Sequence, residues 1–195
     1  TGLFEKIVVA SDDDDLKTIA DENRVCFFPR YVSCLDHSTD DDVMKETYPA
    51  WKDAWIVCRL YPCTPLLPPE RITEAYHMLT KFNGVIALAE YPHPPERALL
   101  LNNGIVEEWS EDYNKRTQDL QPKYYDPGAF QIFKTCVWEG TLSIPSMGAV
   151  ILEQWEYQDI DYPKDIDSLE MKWRYNGNNT VRRVRGDTRD PEMRK

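Results

Sequence analysis

One pattern near the start of the chain admits few folds: a short β-branched run, an acidic turn, a helical stretch and a second apolar run. Lys6–Ala10 reads K-I-V-V-A, Ser11 and the aspartates Asp12–Asp15 follow, and Leu16, Ile19 and Ala20 recur at helical spacing as far as Asn23. Val25–Phe28 is apolar again. Short continuous apolar runs suit strands buried on both faces of a parallel sheet. Parallel neighbours need a crossover, so the unit reads as βαβ and the chain as α/β.

The same grammar continues. Ser38–Asp42 is an acidic loop where Thr39 or Asp40 can cap a helix. Ala54–Leu60 (A-W-I-V-C-R-L) is the clearest strand and runs into Tyr61-Pro62-Cys63-Thr64-Pro65, a loop stiffened by two prolines. Pro69 opens a helix with Ile72, Ala75, Tyr76 and Leu79 on one face, which Asn83-Gly84 should end before a strand over Gly84–Ala89. From Tyr91 the pattern changes. A proline-rich linker precedes Ala98–Leu101 and Ile105–Trp109, and Asn102-Asn103-Gly104 between them is a hairpin signal. This section reads as an excursion from the main sheet. Phe130–Phe133 and Ala149–Leu152 are later strands, and a last helix begins near Pro163 with Ile166, Leu169, Glu170 and Trp173 along it.

Bulk properties exclude several classes. The net charge of −11 argues against a nucleic-acid binder, which needs a basic face. No apolar run approaches the roughly 20 residues of a membrane helix. The five cysteines include no C-x-x-C pair, and the three histidines are scattered, so neither a disulfide framework nor a zinc site is expected. Reduced thiols and the lack of a leader pattern point to the cytoplasm. Residues 176–195 gather Arg182, Arg183, Arg185, Arg189, Arg194 and Lys195 with few apolar partners, and read as a disordered basic tail behind one domain over 1–175.

Ligands of open α/β sheets lie beyond the carboxyl ends of the strands. Three polar clusters occupy such ends: Ser11–Asp13, Tyr61–Pro65 and Asp159-Ile160-Asp161. In extended backbone, Asp159 and Asp161 face one way and Ile160 the other. Paired carboxylates attract a cation, and Mg²⁺ is commonly held by one or two carboxylates plus phosphates. The alternative for Asp161 is to cap the helix that starts at Pro163. For Asp12–Asp15 the alternative is simply to complement a helix dipole. Tyr61 and Thr64 can hydrogen-bond a polar ligand or merely form a turn. Arg116 and Gln118, ahead of Gly128-Ala129-Phe130, offer a fork for an anionic substrate, or a surface ion pair.

Together these segments resemble the acylneuraminate cytidylyltransferase family, and most closely its pseudaminic acid branch. The resemblance rests on five segments in order: T-G-L-F-E-K-I-V-V-A-S-D-D at Thr1–Asp13, Y-P-C-T-P at Tyr61–Pro65, Tyr91–Leu100 with P-P-E-R-A-L, Arg116–Phe130 with R-T-Q-D-L and Y-Y-D-P-G-A-F, and Q-D-I-D-Y-P-K-D at Gln158–Asp165. Sialic acid members carry glutamine where Tyr61 stands, and a tyrosine is similar to the pseudaminic branch.

The resemblance implies a Rossmann-like three-layer αβα nucleotide-diphospho-sugar transferase fold. Its sheet is mixed and mostly parallel, and a β-rich dimerisation arm spans about 91–128. It implies a homodimer that joins CTP to a nine-carbon keto sugar acid, releasing pyrophosphate. By correspondence, Asp159 and Asp161 are the catalytic Mg²⁺ ligands, Tyr61, Thr64, Arg116 and Gln118 bind the sugar acid, and Ser11, Asp12 and Asp13 bind nucleotide. The family's first strand and basic glycine-rich loop (A-R-G-G-S-K-R in form) would precede Thr1. The chain as it stands is therefore expected to be an inactive, truncated fragment. Two other functions fit the residues: a D-x-D glycosyltransferase, and a non-catalytic sugar-acid-binding or dimerisation partner.

Overall fold

A computed structural model of the chain describes residues 2–35, 38–62, 64–138 and 147–184. The opening unit is β1 (Val8–Ser11), α1 (Asp14–Glu22) and β2 (Cys26–Pro29), with β1 and β2 parallel and Val8 opposite Cys26. The crossover is what the alternation of apolar run, acidic turn and helix requires. Helix α1 starts because the Asp13 side chain accepts the Asp15 N–H at 2.8 Å.

Helix α2 (Asp40–Thr47) begins on a reciprocal cap between Thr39 and Asp42. Strand β3 (Ile56–Leu60), α3 (Pro69–Met78) and β4 (Gly84–Glu90) follow. Helix α3 ends at Met78, before Asn83-Gly84, where Thr80 turns its hydroxyl back on the His77 carbonyl and Lys81 and Phe82 close a turn on Met78. An antiparallel hairpin, β5 (Leu99–Asn102) with β6 (Ile105–Glu108), stands apart from the main sheet. Its two-residue loop has positive φ at both Asn103 and Gly104, the backbone that matches strand twist. The chain leaves β4 at Tyr91 and returns at β7 (Tyr124–Tyr125), and the Tyr91 N–H bonds the Lys123 carbonyl at the root of this excursion.

The main sheet joins β3, β4 and β9 (Met147–Leu152), all parallel, with β8 (Phe130–Lys134) inserted antiparallel between β3 and β4. It is thus mixed, as expected for the fold class. Short α4 (Thr135–Trp138) follows β8, and α5 (Pro163–Val184) closes the described chain. Helix α5 carries on past Asn176, so residues 176–184 of the expected tail are helical; the rest lies outside the described residues.

Layering follows from the alternation of side chains. Ile72, Ala75 and Leu79 of the α3 segment pack with Val85, Ala87, Phe130, Ile132 and Val150, and Ile56 and Cys58 join them. Phe133 points to the other face, edge-on to Trp51 beyond α2, with ring centres 6.3 Å apart. Helix α3 thus covers one face, the turn carrying Trp51 meets the other, and the carboxyl ends of the parallel β3, β4 and β9 share one rim.

Candidate functional site at the carboxyl ends of the strands

Strand β3 delivers Tyr61 to that rim. The Thr64 hydroxyl donates to the Tyr61 carbonyl at 3.0 Å, and Thr64 is buried, so this hydroxyl shapes the turn. Tyr61 donates its phenolic proton to Asp40 of α2. Arg59, two residues back on the same face of β3, lies 3.3 Å from Asp40 and stacks its guanidinium over the Tyr61 ring at 4.9 Å. Burial, then the bond to Asp40, holds the phenol well above its usual range.

Gly128, in the turn before β8, has φ +66°, a backbone that favours glycine, and its N–H bonds Asp126 at 2.9 Å. A Cβ placed on Gly128 would sit 3.5 Å from Asp159 Oδ2, so this turn and the Asp159 segment touch. The charge on Asp126 acts on both Tyr61 and Asp159, which ties the two halves of the rim together.

Asp159 and Asp161 are both exposed and Ile160 is half-buried between them, the alternation expected of an extended segment. Partial burial, then the negative charge on Asp161, raises the Asp159 carboxyl above its usual range. From α5, Lys172 donates to the Tyr157 carbonyl at 2.9 Å and covers the Tyr157 ring, anchoring the segment that leads from β9 to Asp159. The cap of α5 comes from Asp165, which accepts the N–H groups of Asp161 and Tyr162. The Asp161 carboxylate takes no part in it. Among the described residues no three metal-ligating side chains converge. The donor set fits a hard cation completed by phosphate oxygens and water, not a site built wholly from protein.

The remaining expected residues are placed differently. Ser11 is buried and its hydroxyl accepts the Asp13 N–H at 3.1 Å; Asp13 caps α1; Asp12 lies 3.9 Å from Arg30. Arg116 is exposed on the excursion and forks onto Asp119 at 2.8 and 3.1 Å, and Gln118 is exposed beside it. No contact joins either to Tyr61 or Asp159 among the described residues. Sequence reasoning missed Asp40, Arg59 and Asp126. An arginine inside an otherwise apolar strand run was the available signal for Arg59.

No protein-family model matches the chain. It is 27% identical over 194 residues to a pseudaminic acid cytidylyltransferase of Campylobacter jejuni, an alignment covering 90% of this chain and 81% of that protein. It is 29% identical over 167 residues to a Helicobacter pylori protein described as a pseudaminic acid cytidylyltransferase and a UDP-2,4-diacetamido-2,4,6-trideoxy-beta-L-altropyranose hydrolase, covering 81% of this chain and 32% of that one. Among solved structures, a CMP:2-keto-3-deoxy-manno-octonic acid synthetase in complex with CTP superposes with a TM-score of 0.62 at 10% identity, over 90% of this chain and 83% of that one. The chain thus shares the fold of that synthetase and is related in sequence to pseudaminic acid cytidylyltransferases. A 4-diphosphocytidyl-2C-methyl-D-erythritol synthase from Anaerococcus prevotii shares the fold at a TM-score of 0.56, with 15% identity over 84% of this chain and 78% of that one. The chain has the fold and the sequence kinship of a nucleotidyltransferase enzyme. No helix among its described residues is long and apolar enough to cross a membrane.

Proposed function

We propose that the protein transfers CMP from CTP to a nonulosonic sugar acid of the pseudaminic or sialic type. The observation that carries this reading is the pair Asp159 and Asp161, two carboxylates free of capping duty beside the Gly128 turn. The kinship to pseudaminic acid cytidylyltransferases favours the sugar acid over other acceptors.

In this reading the anomeric hydroxyl attacks the α-phosphorus, a carbon-linked oxygen–phosphorus bond forms, and pyrophosphate leaves. The hydroxyl proton passes to solvent or to a carboxylate at the rim. A bound Mg²⁺ would supply charge neutralisation at the phosphates, held by Asp159 and Asp161. The chain's own residues orient the reactants: Tyr61 meets the sugar, and Arg116 and Gln118 receive the acid once Arg116 exchanges Asp119 for substrate. Ser11, Asp12 and Asp13 border the nucleotide. The β5–β6 hairpin serves as the arm of a homodimer, and the reaction belongs in the cytoplasm, where CTP is made.

The test is direct. The full-length protein is incubated with CTP, Mg²⁺ and a panel of nonulosonic acids, with pyrophosphate release and the CMP-sugar read by mass spectrometry. Metal-dependent formation of a CMP-sugar supports the reading. Binding of a nucleotide-sugar with no use of CTP would favour a D-x-D glycosyltransferase. Binding of sugar acid without CTP would favour a non-catalytic partner.

A further inference from the structure

Tyr61, Arg59 and Asp40 form a relay whose consequence for the ligand follows from counting protons. A phenol has one proton to donate. Tyr61 gives it to Asp40 Oδ2, and the Arg59 guanidinium meets the same oxygen at 3.3 Å. Asp40 is held from both sides. It sits in the first turn of α2, fixed by the Thr39–Asp42 cap, where the helix dipole favours an anion. Arg59 is largely buried, its Nε has no partner among the described residues, and its guanidinium pairs with Asp40. Arg59 also backs the Tyr61 ring, so the phenol cannot swing away without losing that stacking contact.

Towards the open rim the Tyr61 oxygen therefore has lone pairs and no proton. Beside it stand the Asp40 carboxylate, itself paired with Arg59, and Asp126, whose charge acts on the phenol. An approaching carboxylate or phosphate would meet an acceptor with no proton to give it. A neutral N–H or O–H would meet a fixed acceptor.

We propose that Asp40 and Arg59 are positioning residues that make the Tyr61 phenol an obligate acceptor, so that it selects a neutral donor on the substrate, an acylamino N–H or a hydroxyl. The acid group of the same substrate binds elsewhere. This rests on the proposed function, and gives Tyr61 a defined share of the sugar specificity.

Calorimetric titration of the full-length protein with an acylamino nonulosonic acid tests it, using the unsubstituted protein, Tyr61→Phe, Asp40→Ala, the double variant, Asp40→Asn and Arg59→Met. Tyr61→Phe and Asp40→Ala should each weaken sugar-acid binding about tenfold, and the double variant no more than the weaker single one, because both remove one hydrogen bond. Asp40→Asn keeps an acceptor oxygen and should bind as the unsubstituted protein does. Arg59→Met should fall between. CTP affinity should stay constant throughout, which a merely structural defect would not allow. Sugar-acid binding that Asp40→Ala leaves intact, penalties that add in the double variant, or an Asp40→Asn as weak as Asp40→Ala would each overturn the inference and leave the proposed function standing. Failure of every sugar acid to bind the unsubstituted protein would overturn the proposed function, and this inference with it.

Discussion

The Asp165 carboxylate accepts the backbone N–H of Asp161 at 3.1 Å, and that of Tyr162 at 2.7 Å, so α5 is capped without the Asp161 side chain. The two aspartates are thereby separable. Asp161→Asn should leave the melting temperature within error of the unsubstituted protein and lower metal-dependent turnover at least about 100-fold, since a catalytic cation supplies several kcal/mol. Asp165→Ala should do the reverse, costing about 1 kcal/mol of stability through loss of the cap. Thermal unfolding beside a pyrophosphate-release assay reads both. A large stability loss in Asp161→Asn would return that residue to a capping role.

Asp159 gives a pH dependence. Its carboxyl is raised by partial burial and then by the charge on Asp161. A carboxyl raised in the folded state binds its proton more tightly there, so its contribution favours the fold below the unfolded value and is lost as pH rises through the raised value. A divalent cation needs the ionised form. The increase in melting temperature on adding Mg²⁺ should therefore be absent near about pH 4 and grow towards about pH 8. In Asp161→Asn the cation effect should shrink at every pH. A cation effect independent of pH would count against these ligands.

Glu46 behaves in the opposite sense. The Ser33 hydroxyl first, and then the N–H groups of Tyr31, Ser33 and Val32, hold its carboxyl down at about 2 from an ordinary 4.5, against a smaller opposing effect of burial. A depressed carboxyl contributes stability that is present above its unfolded value and lost as pH falls through the folded one. Glu46→Gln should be less stable at neutral pH, and its urea midpoint should vary less with acidification between 4.5 and about 2 than that of the unsubstituted protein. An unchanged acid profile would show that the loop holds without this carboxylate.

The β5–β6 hairpin exposes Leu101 at 72% and Ile105 at 64%, with Leu99, Leu100 and Val106 also open to solvent. An apolar two-stranded arm with no sheet partner among the described residues suits an interface between copies. Val106→Asp or Leu101→Asp should shift a dimer towards monomer in sedimentation velocity while changing the melting temperature of the main domain little. A monomeric unsubstituted protein would remove the arm from this role.

Much of the scaffold was legible because periodicity is a local property. The βαβ start, the apolar strand ahead of Tyr61 and the Asn103-Gly104 turn are each written in a few adjacent residues. The antiparallel placement of β8 between β3 and β4 was not, since strand direction depends on partners far apart in sequence. Asp159 and Asp161 could be singled out from spacing and resemblance, yet whether Asp161 caps a helix depended on what Asp165 does. For the acidic run the sequence left both a ligand role and a helix start open, and Asp13 caps α1. Asp40 was legible only as part of a helix start, because its contact with Tyr61 bridges two elements that share no sequence signal.

The opening β1–α1–β2 unit is laddered only to itself, and among the described residues neither β1 nor β2 hydrogen-bonds to the five-stranded sheet. Its link to the rest includes the Lys6 ammonium on the Ala50 carbonyl and the packing of Phe4 on the core. Such a unit can open on its own, as a separate cooperative block. All six tryptophans, from Trp51 to Trp173, lie outside it. Indole fluorescence is therefore blind to the loss of this block, whereas far-ultraviolet circular dichroism sees its helix melt. Denaturation curves from the two probes should separate, with the dichroism changing first, and a single free energy drawn from fluorescence alone would describe only the later part of the chain.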